Sequence, residues 1–454
     1  MSAAGSPASG AAIPRLVFAN IASSVMISVF PPEYGRRLNG VSPRVIWTAR
    51  EGDVLVTGRP ISPALRDYAC AVLGMDPGAI ENLAPESGLE GHLAHAVRQG
   101  GLYERIAAAV RERPGIAFAP FALDREAVEL GRALGLRFDG YPNGGPGDAL
   151  VERVYELNTK SGFRRSIGEL GFPVAPGAAC SGAGEVAAAA RRLWPEWEAV
   201  VAKLDRASNG FGHRVLHRPA AGAGNEAPEA IDREVAAALA DLADQPQRYT
   251  VEAYLAVAWM PSVEVEVDDA GPRITYVSDQ RCPNHSFAGL LTPPVDTPAA
   301  SLAQLEACGM ALGGLAFRLG YRGIFDVDAC VTADGAVYAT ETNFRQTGGT
   351  YLHHLAQRIL GDDYWDRRRG IWWHDALPGA DPALGFEGAV AAIAREGAAF
   401  DPARRRGVLP LVDTAAIDGK WRYVLFADGV EEAVALEAAA RRALAPGLAS
   451  TNPG

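Results

Sequence analysis

Gly323-Ile-Phe-Asp326-Val-Asp328-Ala-Cys-Val, Ala333-Asp334-Gly335 and Val337-Tyr-Ala-Thr-Glu341-Thr-Asn343-Phe-Arg345 read as strand, tight turn and strand. Glu341 and Asn343 are two residues apart and share a strand face, and a hairpin brings Asp328 back towards them. Two carboxylates and an amide oxygen are hard donors of the kind Mg²⁺ prefers when phosphate oxygens complete its shell. Arg345 follows on the same side and can grip a charged oxygen with two N–H groups. A polar strand end and solvated turn would have the same composition. Asp326, on the face of Asp328, fits a supporting or a plainly structural role.

Working outward, Lys203 ends the apolar strand 199–202, an unusual place for an unpartnered charge. The small-residue loop 205–213 follows, with Ser208, Gly210 and Gly212 able to present backbone N–H groups to phosphate; such residues mark any hairpin as well. Lys160 opens a helical segment. Glu252-Ala253-Tyr254-Leu255 ends another strand, where free backbone groups suit an adenine edge and a nearby carboxylate suits a ribose. Glu264 and Glu266 share one strand face and read equally as a solvent face.

The chain has 454 residues, 48% hydrophobic and 21% charged, which suits a soluble protein of two or three lobes. Its formal charge of −11, with no basic stripe, argues against a nucleic-acid surface. Five cysteines without close pairs fit a reducing, cytoplasmic setting. The apolar run 16–30 is interrupted by Asn20, Ser23 and Ser24 and falls short of the roughly 20 residues of a membrane span.

Residues 1–14 are small and flexible in character. Across 15–150, strands at 16–19, 44–47, 54–57 and 116–119 alternate with helices at 63–73, 89–99 and 125–134, which predicts an open parallel sheet. A Gly/Pro cluster at 140–147 marks a boundary. Beyond it come a helical stretch 151–171, strands at 199–204, 215–218 and 249–254, a flexible insert at 220–228, and a helix at 231–242. A long β pattern (263–267, 274–278) and a helix 302–319 lead to the hairpin. Strands 408–412 and 421–427 and a helix 430–444 close the chain.

Taken in this order, the pieces resemble the ATP-grasp superfamily over roughly 151–360. Asn158-Thr-Lys160 with Gly171-Phe-Pro-Val-Ala-Pro176 looks like the helix of the first nucleotide lysine, and Val201-Ala-Lys203 like the second lysine and its phosphate loop. Glu252, Ala253 and Tyr254 look like the adenine hinge and Glu264 like the ribose carboxylate. Asp328, Glu341 and Asn343 resemble the metal ligands, and Arg345 the arginine that steadies an acyl phosphate. Arg44-Val-Ile-Trp-Thr, Gly52-Asp-Val-Leu-Val and Pro60 resemble the opening of the pre-ATP-grasp peptide ligases of the pheganomycin type.

The resemblance implies an α/β chain with α+β lobes: an N-terminal pre-ATP-grasp domain (15–150), ATP-grasp lobes at 151–251 and 252–400, and a short C-terminal appendage (401–454). It implies ATP and one or two Mg²⁺ ions, with Mn²⁺ as a substitute. Lys203 and Arg345 take catalytic roles, and a small-molecule carboxylate becomes an acyl phosphate that is passed to an amine, an amino acid or peptide. No nucleic acid or membrane is implied, and a homodimer is compatible. Gln280, Arg281 and His285, in the polar loop 279–289, are substrate-pocket candidates. So are Gly348 and Gly349, in a Thr347–Thr350 stretch suited to opening a helix towards an anion. His353 and His354, adjacent on that helix, diverge and do not suit a shared metal. Transfer to a carrier-protein thiol would use the same nucleotide site. A non-catalytic nucleotide-binding protein sits poorly with an intact Asp328/Glu341/Asn343/Arg345 set.

Overall fold

The computed structural model describes residues 13–27, 31–86, 89–99, 101–142, 144–207, 210–219, 228–242, 248–283, 286–367 and 370–446. The terminus 1–12 and the insert 220–227 lie outside these residues.

The expected parallel sheet is present. Strands β1 (Arg15–Phe18), β2 (Val54–Val56), β3 (Glu81–Leu83), β4 (Ala117–Pro120) and β5 (Arg137–Phe138) run in the order β3-β2-β1-β4-β5, every pair parallel. Leu16, Phe18, Val54, Val56 and Phe118 are buried, as expected of strands covered on both faces. The segment expected as a strand at 44–47 is instead a 3-10 helix, Ser42–Thr48. Pro43 presets its first turn. Three consecutive buried apolar residues, Val45, Ile46 and Trp47, satisfy a short helix or a strand equally.

A four-stranded antiparallel sheet follows: β6 (Gly177–Ser181), β7 (Ala199–Leu204), β8 (Arg214–His217) and β9 (Arg248–Ala253), ordered β6-β9-β7-β8. Helices Gly182–Leu193 and Pro228–Ala238 cover it, with Val186, Ala190 and Val235 buried on Val200, Ala202 and Val251. The stretch 151–171 is two helices, Asp148–Leu157 and Lys160–Glu169. The break is a capping event: the Thr159 hydroxyl accepts the Gly162 N–H at 3.0 Å and starts a new helix.

The largest sheet has nine strands: β10 (Val257–Trp259), β11 (Pro261–Asp268), β12 (Gly271–Arg281), β13 (Gly289–Thr292), β14 (Gly323–Thr332), β15 (Val337–Asn343), β16 (Ile371–Pro378), β17 (Gly407–Thr414) and β18 (Lys420–Ala427). Its order is β10-β14-β11-β12-β13-β16-β18-β17, with β15 on β14. The tail strands β17 and β18 thus extend the same sheet through β16. Helix Ala299–Arg318 is apolar and long enough to cross a membrane by composition. Here Leu305, Cys308, Leu312 and Ala316 are buried in the core, and Gly309 lets the helix approach Val263 of β11.

The N-terminal domain meets the C-terminal strands. Trp47 is fully buried in the core of the C-terminal strands, and its indole N–H donates to Leu411 O at 2.8 Å. Arg59 bridges Gly40 O and Asp413 O. Trp47→Phe keeps an aromatic ring but leaves a void and strands a buried carbonyl, and is expected to cost at least about 1–3 kcal/mol, read as a lower melting temperature. An unchanged melting temperature would show that this contact does not hold the ends together.

Candidate active site

A cavity of about 1200 Å³ opens where the three sheets meet. Its acidic wall is the hairpin. In the register of β11, β14 and β15, Ser262, Asp328 and Glu341 form one cross-strand row, and Glu264, Asp326 and Asn343 the next. Side chains of such a row share a face, so the pairing that closes the Gly335 turn also assembles the acidic group. Gly335 holds φ +86° there, a value that favours glycine.

Asp328 Oδ1 accepts the Gln280 side-chain N–H at 2.6 Å. Asp326 Oδ1 accepts both the backbone N–H and the side-chain amide of Asn343, at 3.0 and 2.8 Å. Arg345 donates to Asn343 Oδ1 and Gln346 O, so the Asn343 amide is held between the Asp326 carboxylate at its nitrogen and the Arg345 guanidinium at its oxygen. Burial raises the carboxyls of Asp326 and Asp328; Asp326 and Glu341 push Asp328 further, whereas Arg345 and Asn343 hold Asp326 back. Burial opposes the charge of Glu341 too, but Lys160 overrides it and holds this carboxyl low. Among the described residues no three His, Cys, Asp or Glu side chains form a complete metal cluster. The oxygens of Asp328, Glu341 and Asn343 fit a hard cation that takes its other ligands from phosphate.

Both lysines are held by anions. Lys160 is buried, its ammonium 2.8 Å from Glu341 Oε2 and 3.1 Å from Ala207 O. Its helix starts on Asp205, which accepts the Ser161 N–H and hydroxyl at 2.7 and 2.9 Å. Asn158 Oδ1 accepts the Phe344 N–H at 3.0 Å, fixing that helix entrance to the hairpin exit. Lys203 lies 2.7 Å from Glu252 Oε2, and Arg164 holds the other Glu252 oxygen at 3.1 Å. Burial opposes the Lys203 charge, yet Glu252 keeps its pKa above the ordinary value.

Between them runs the loop after β7. Gly210 lines the cavity; Gly212, at φ +75°, does not, but a Cβ there would meet Leu204. Ser208 lies outside the described residues. Phe211 reaches the N-terminal helix Pro32–Gly40, its ring centroid 5.6 Å from that of Tyr34. At the hinge, Glu252, Ala253 and Tyr254 all line the cavity. The N–H groups of Ala253 and Tyr254 are taken by Pro176 O and Ala199 O, at 2.8 and 3.1 Å. Leu255, also on the cavity wall, is the next residue able to offer a backbone donor.

Several expected site residues stand elsewhere. Glu264 is on the right face but does not line the cavity, because the Thr347–Thr350 turn lies over it. Its carboxyl receives the hydroxyls of Thr275, Tyr276, Thr347 and Thr350. Arg281 alternates to the opposite face from Gln280 and pairs with Glu437 and Asp375. Gln280 contacts a candidate metal ligand. His285 is outside the described residues. Gly348 and Gly349 line the cavity, and at Gly349 a Cβ would lie 1.8 Å from the Tyr276 hydroxyl, so only glycine fits. His353 bonds Tyr364 and His354 bonds Gln357, both structural. Unforeseen lining residues include His213, Arg44 and Arg422. His213 closes the loop 205–213 and Arg44 opens a stretch of family resemblance, but neither carries a local sign that its side chain faces the cavity, and nothing around Arg422 suggests a site.

Burial raises the Glu264 pKa from 4.5 to about 7. The native state therefore keeps a proton that the unfolded chain releases, so this stability is full below pH 4.5 and is lost as the pH rises through 7. Glu264→Gln cannot ionise; its melting temperature relative to wild type should rise between about pH 5 and about pH 8. Parallel melting profiles would refute the buried acid.

A family model described as Pre ATP-grasp domain matches residues 42–136, and one described as PGM1 C-terminal domain matches residues 388–440. No curated protein sequence matches. Among solved structures, a biotin carboxylase from Campylobacter jejuni is similar with a TM-score of 0.62 and 16% identity, over 95% of this chain and 91% of that one. The biotin carboxylase domain of the Hydrogenobacter thermophilus 2-oxoglutarate carboxylase, a complex with MgADP, ADP and bicarbonate, gives 0.58 and 15%, over 88% and 87%. N5-carboxyaminoimidazole ribonucleotide synthetase from Thermus thermophilus gives 0.56 and 15%, over 92% and 98%. At these identities the likeness is one of fold. The chain carries a pre-ATP-grasp domain followed by an ATP-grasp fold.

Proposed function

We propose that the chain is an ATP-dependent, ADP-forming ligase that joins a carboxylate to an amine. The observation that carries this reading is the convergence, in one cavity, of the Lys203–Glu252 pair and hinge with the Asp328/Glu341/Asn343/Arg345 group. The hinge, with Leu255 as donor, receives the adenine edge. Lys203 and the loop at Gly210 face the phosphates, and Lys160 sets the position and charge of Glu341. Asp328, Glu341 and Asn343 would hold one or two Mg²⁺ ions, or Mn²⁺, which would supply charge to offset that of the phosphates.

The donor carboxylate attacks the γ-phosphorus and ADP leaves, giving an acyl phosphate. The amine then attacks the acyl carbon, loses a proton and expels phosphate. Arg345 is placed to stabilise the oxyanion and the departing phosphate. The protein's share is to orient reactants and exclude water. The matches at 42–136 and 388–440 support placing the chain with the pre-ATP-grasp peptide ligases, and hence with short-peptide biosynthesis.

With Mg-ATP and pairs of amino acids or short peptides, ADP formation should require both partners and a new amide should appear by mass spectrometry. Glu341→Ala should lower the rate by about 100-fold or more. Lys203→Met should raise the KM for ATP more than that for the carboxylate. Formation of AMP and pyrophosphate would overturn the acyl-phosphate route, and a product found only on a carrier thiol would replace the amine acceptor.

A further inference from the structure

A second group of cations lines the same cavity and belongs to neither hinge nor hairpin. Arg44, from the 3-10 helix Ser42–Thr48, places its guanidinium carbon 4.8 Å from the Tyr351 ring centroid and 5.9 Å from that of Phe121. Arg422, on β18, is 2.6 Å from Asp418 and donates to the Thr414 hydroxyl. Arg345 stands close by, its Nε buried without a hydrogen-bond partner. Among the described residues no carboxylate pairs with Arg44. Burial lowers its pKa, Tyr351 offsets part of this, and the nearby Arg422 and Arg345 lower it further.

His374 lines the same wall and adds no charge, since burial first and then Arg422 and Arg44 press its pKa down to about 3. The helix Thr350–Leu360 begins beside them: Gly348 and Gly349 line the cavity, the Gly349 N–H goes to the Thr347 hydroxyl at 3.2 Å, and Tyr351, under Arg44, lies in the first turn. The adjoining N-terminal segment adds apolar side chains, Ile21, Met26, Leu38, Val41 and Phe121, together with Tyr34 and Arg37.

We propose that Arg44 and Arg422, with the N-terminus of helix Thr350–Leu360, bind a carboxylate that does not react: that of an amine acceptor which is itself an apolar amino acid or a short peptide. This rests on the ligase reading. A carboxylate to be phosphorylated must sit at the hairpin, beside Arg345 and the metal ligands. Arg44 and Arg422 come from the N-terminal domain and from β18, and among the described residues neither bonds a hairpin side chain, so their anion is a spectator. An amino-acid acceptor carries such a group, and the adjoining apolar residues suit its side chain.

The first test needs no turnover: calorimetric binding of leucine, valine and phenylalanine, and of their carboxamides, to the full chain and its variants. Wild type should bind at least one of the acids. Arg44→Gln and Arg422→Gln should each weaken it about 10-fold or more, with Arg44→Lys intermediate. The amides should bind weakly and alike to all. Binding of no acid, equal binding of acid and amide, or indifference to both arginine substitutions overturns the site. In ADP-release assays, amidating the acceptor should raise its KM in wild type but not in Arg44→Gln. If amidating a second carboxylate on the donor does so instead, the assignment to the acceptor is wrong. Arginine-dependent binding without ADP formation leaves the site standing and removes the ligase reading. Glu341-dependent ADP formation that accepts amides equally does the reverse.

Discussion

The ion pair between Lys160 and Glu341 holds the active region in register. It runs 2.8 Å from the first residue of a helix to the β15 strand of the hairpin. A buried ammonium is costly without a nearby anion, and a carboxylate in an acidic row is costly without a cation, so each supplies what the other lacks. The helix start is tied to the loop after β7 by Asp205, and to the hairpin exit by Asn158. Moving Lys160 would therefore displace the phosphate loop and the acidic row together. Lys203, Arg164 and Glu252 repeat the arrangement on the neighbouring sheet.

Charge in the cavity is separated. The hairpin and its exit gather Asp326, Asp328, Glu341 and Arg345, whereas Arg44 and Arg422, the latter paired with Asp418, line the part of the cavity built by the N-terminal domain and β18. The formal charge of −11 describes neither wall, because it sums a surface on which most ions are solvated. Inside, where water is scarce, the local arrangement decides which charges a ligand must bring. A site acidic at one end and basic at the other suits phosphates escorted by a cation, together with a free organic anion.

The basic wall exists because the N-terminal domain meets the C-terminal strands. Trp47 in the core of β17 and β18, and Arg59 on Gly40 and Asp413 carbonyls, hold the segment carrying Arg44 against the strand carrying Arg422. The parallel N-terminal sheet and the C-terminal strands thus act as opposing supports for one half of the cavity.

The sequence alone determined the elements whose signals are local. The Ala333-Asp334-Gly335 turn and the two-residue spacing of Glu341 and Asn343 specify the hairpin, because turn chemistry and strand alternation act over a few residues. Strands β1, β2 and β4 of the parallel sheet were legible for the same reason, whereas β3 and β5, of three and two residues, are too short to carry such a signal. Local signals failed at 44–47, where an apolar run suits a 3-10 turn as well as a strand, and at Asn158–Thr159, where a cap splits an apparently continuous helix. Tertiary structure alone decided which polar residues face the cavity. Glu264 has the right strand face but is roofed by Thr347 and Thr350. Arg281 is one residue from Gln280 and so points the other way. Arg44 and Arg422 meet only through long-range packing, which no short pattern encodes: the burial of apolar side chains fixes where chain segments lie, and charges far apart in sequence are carried together with them.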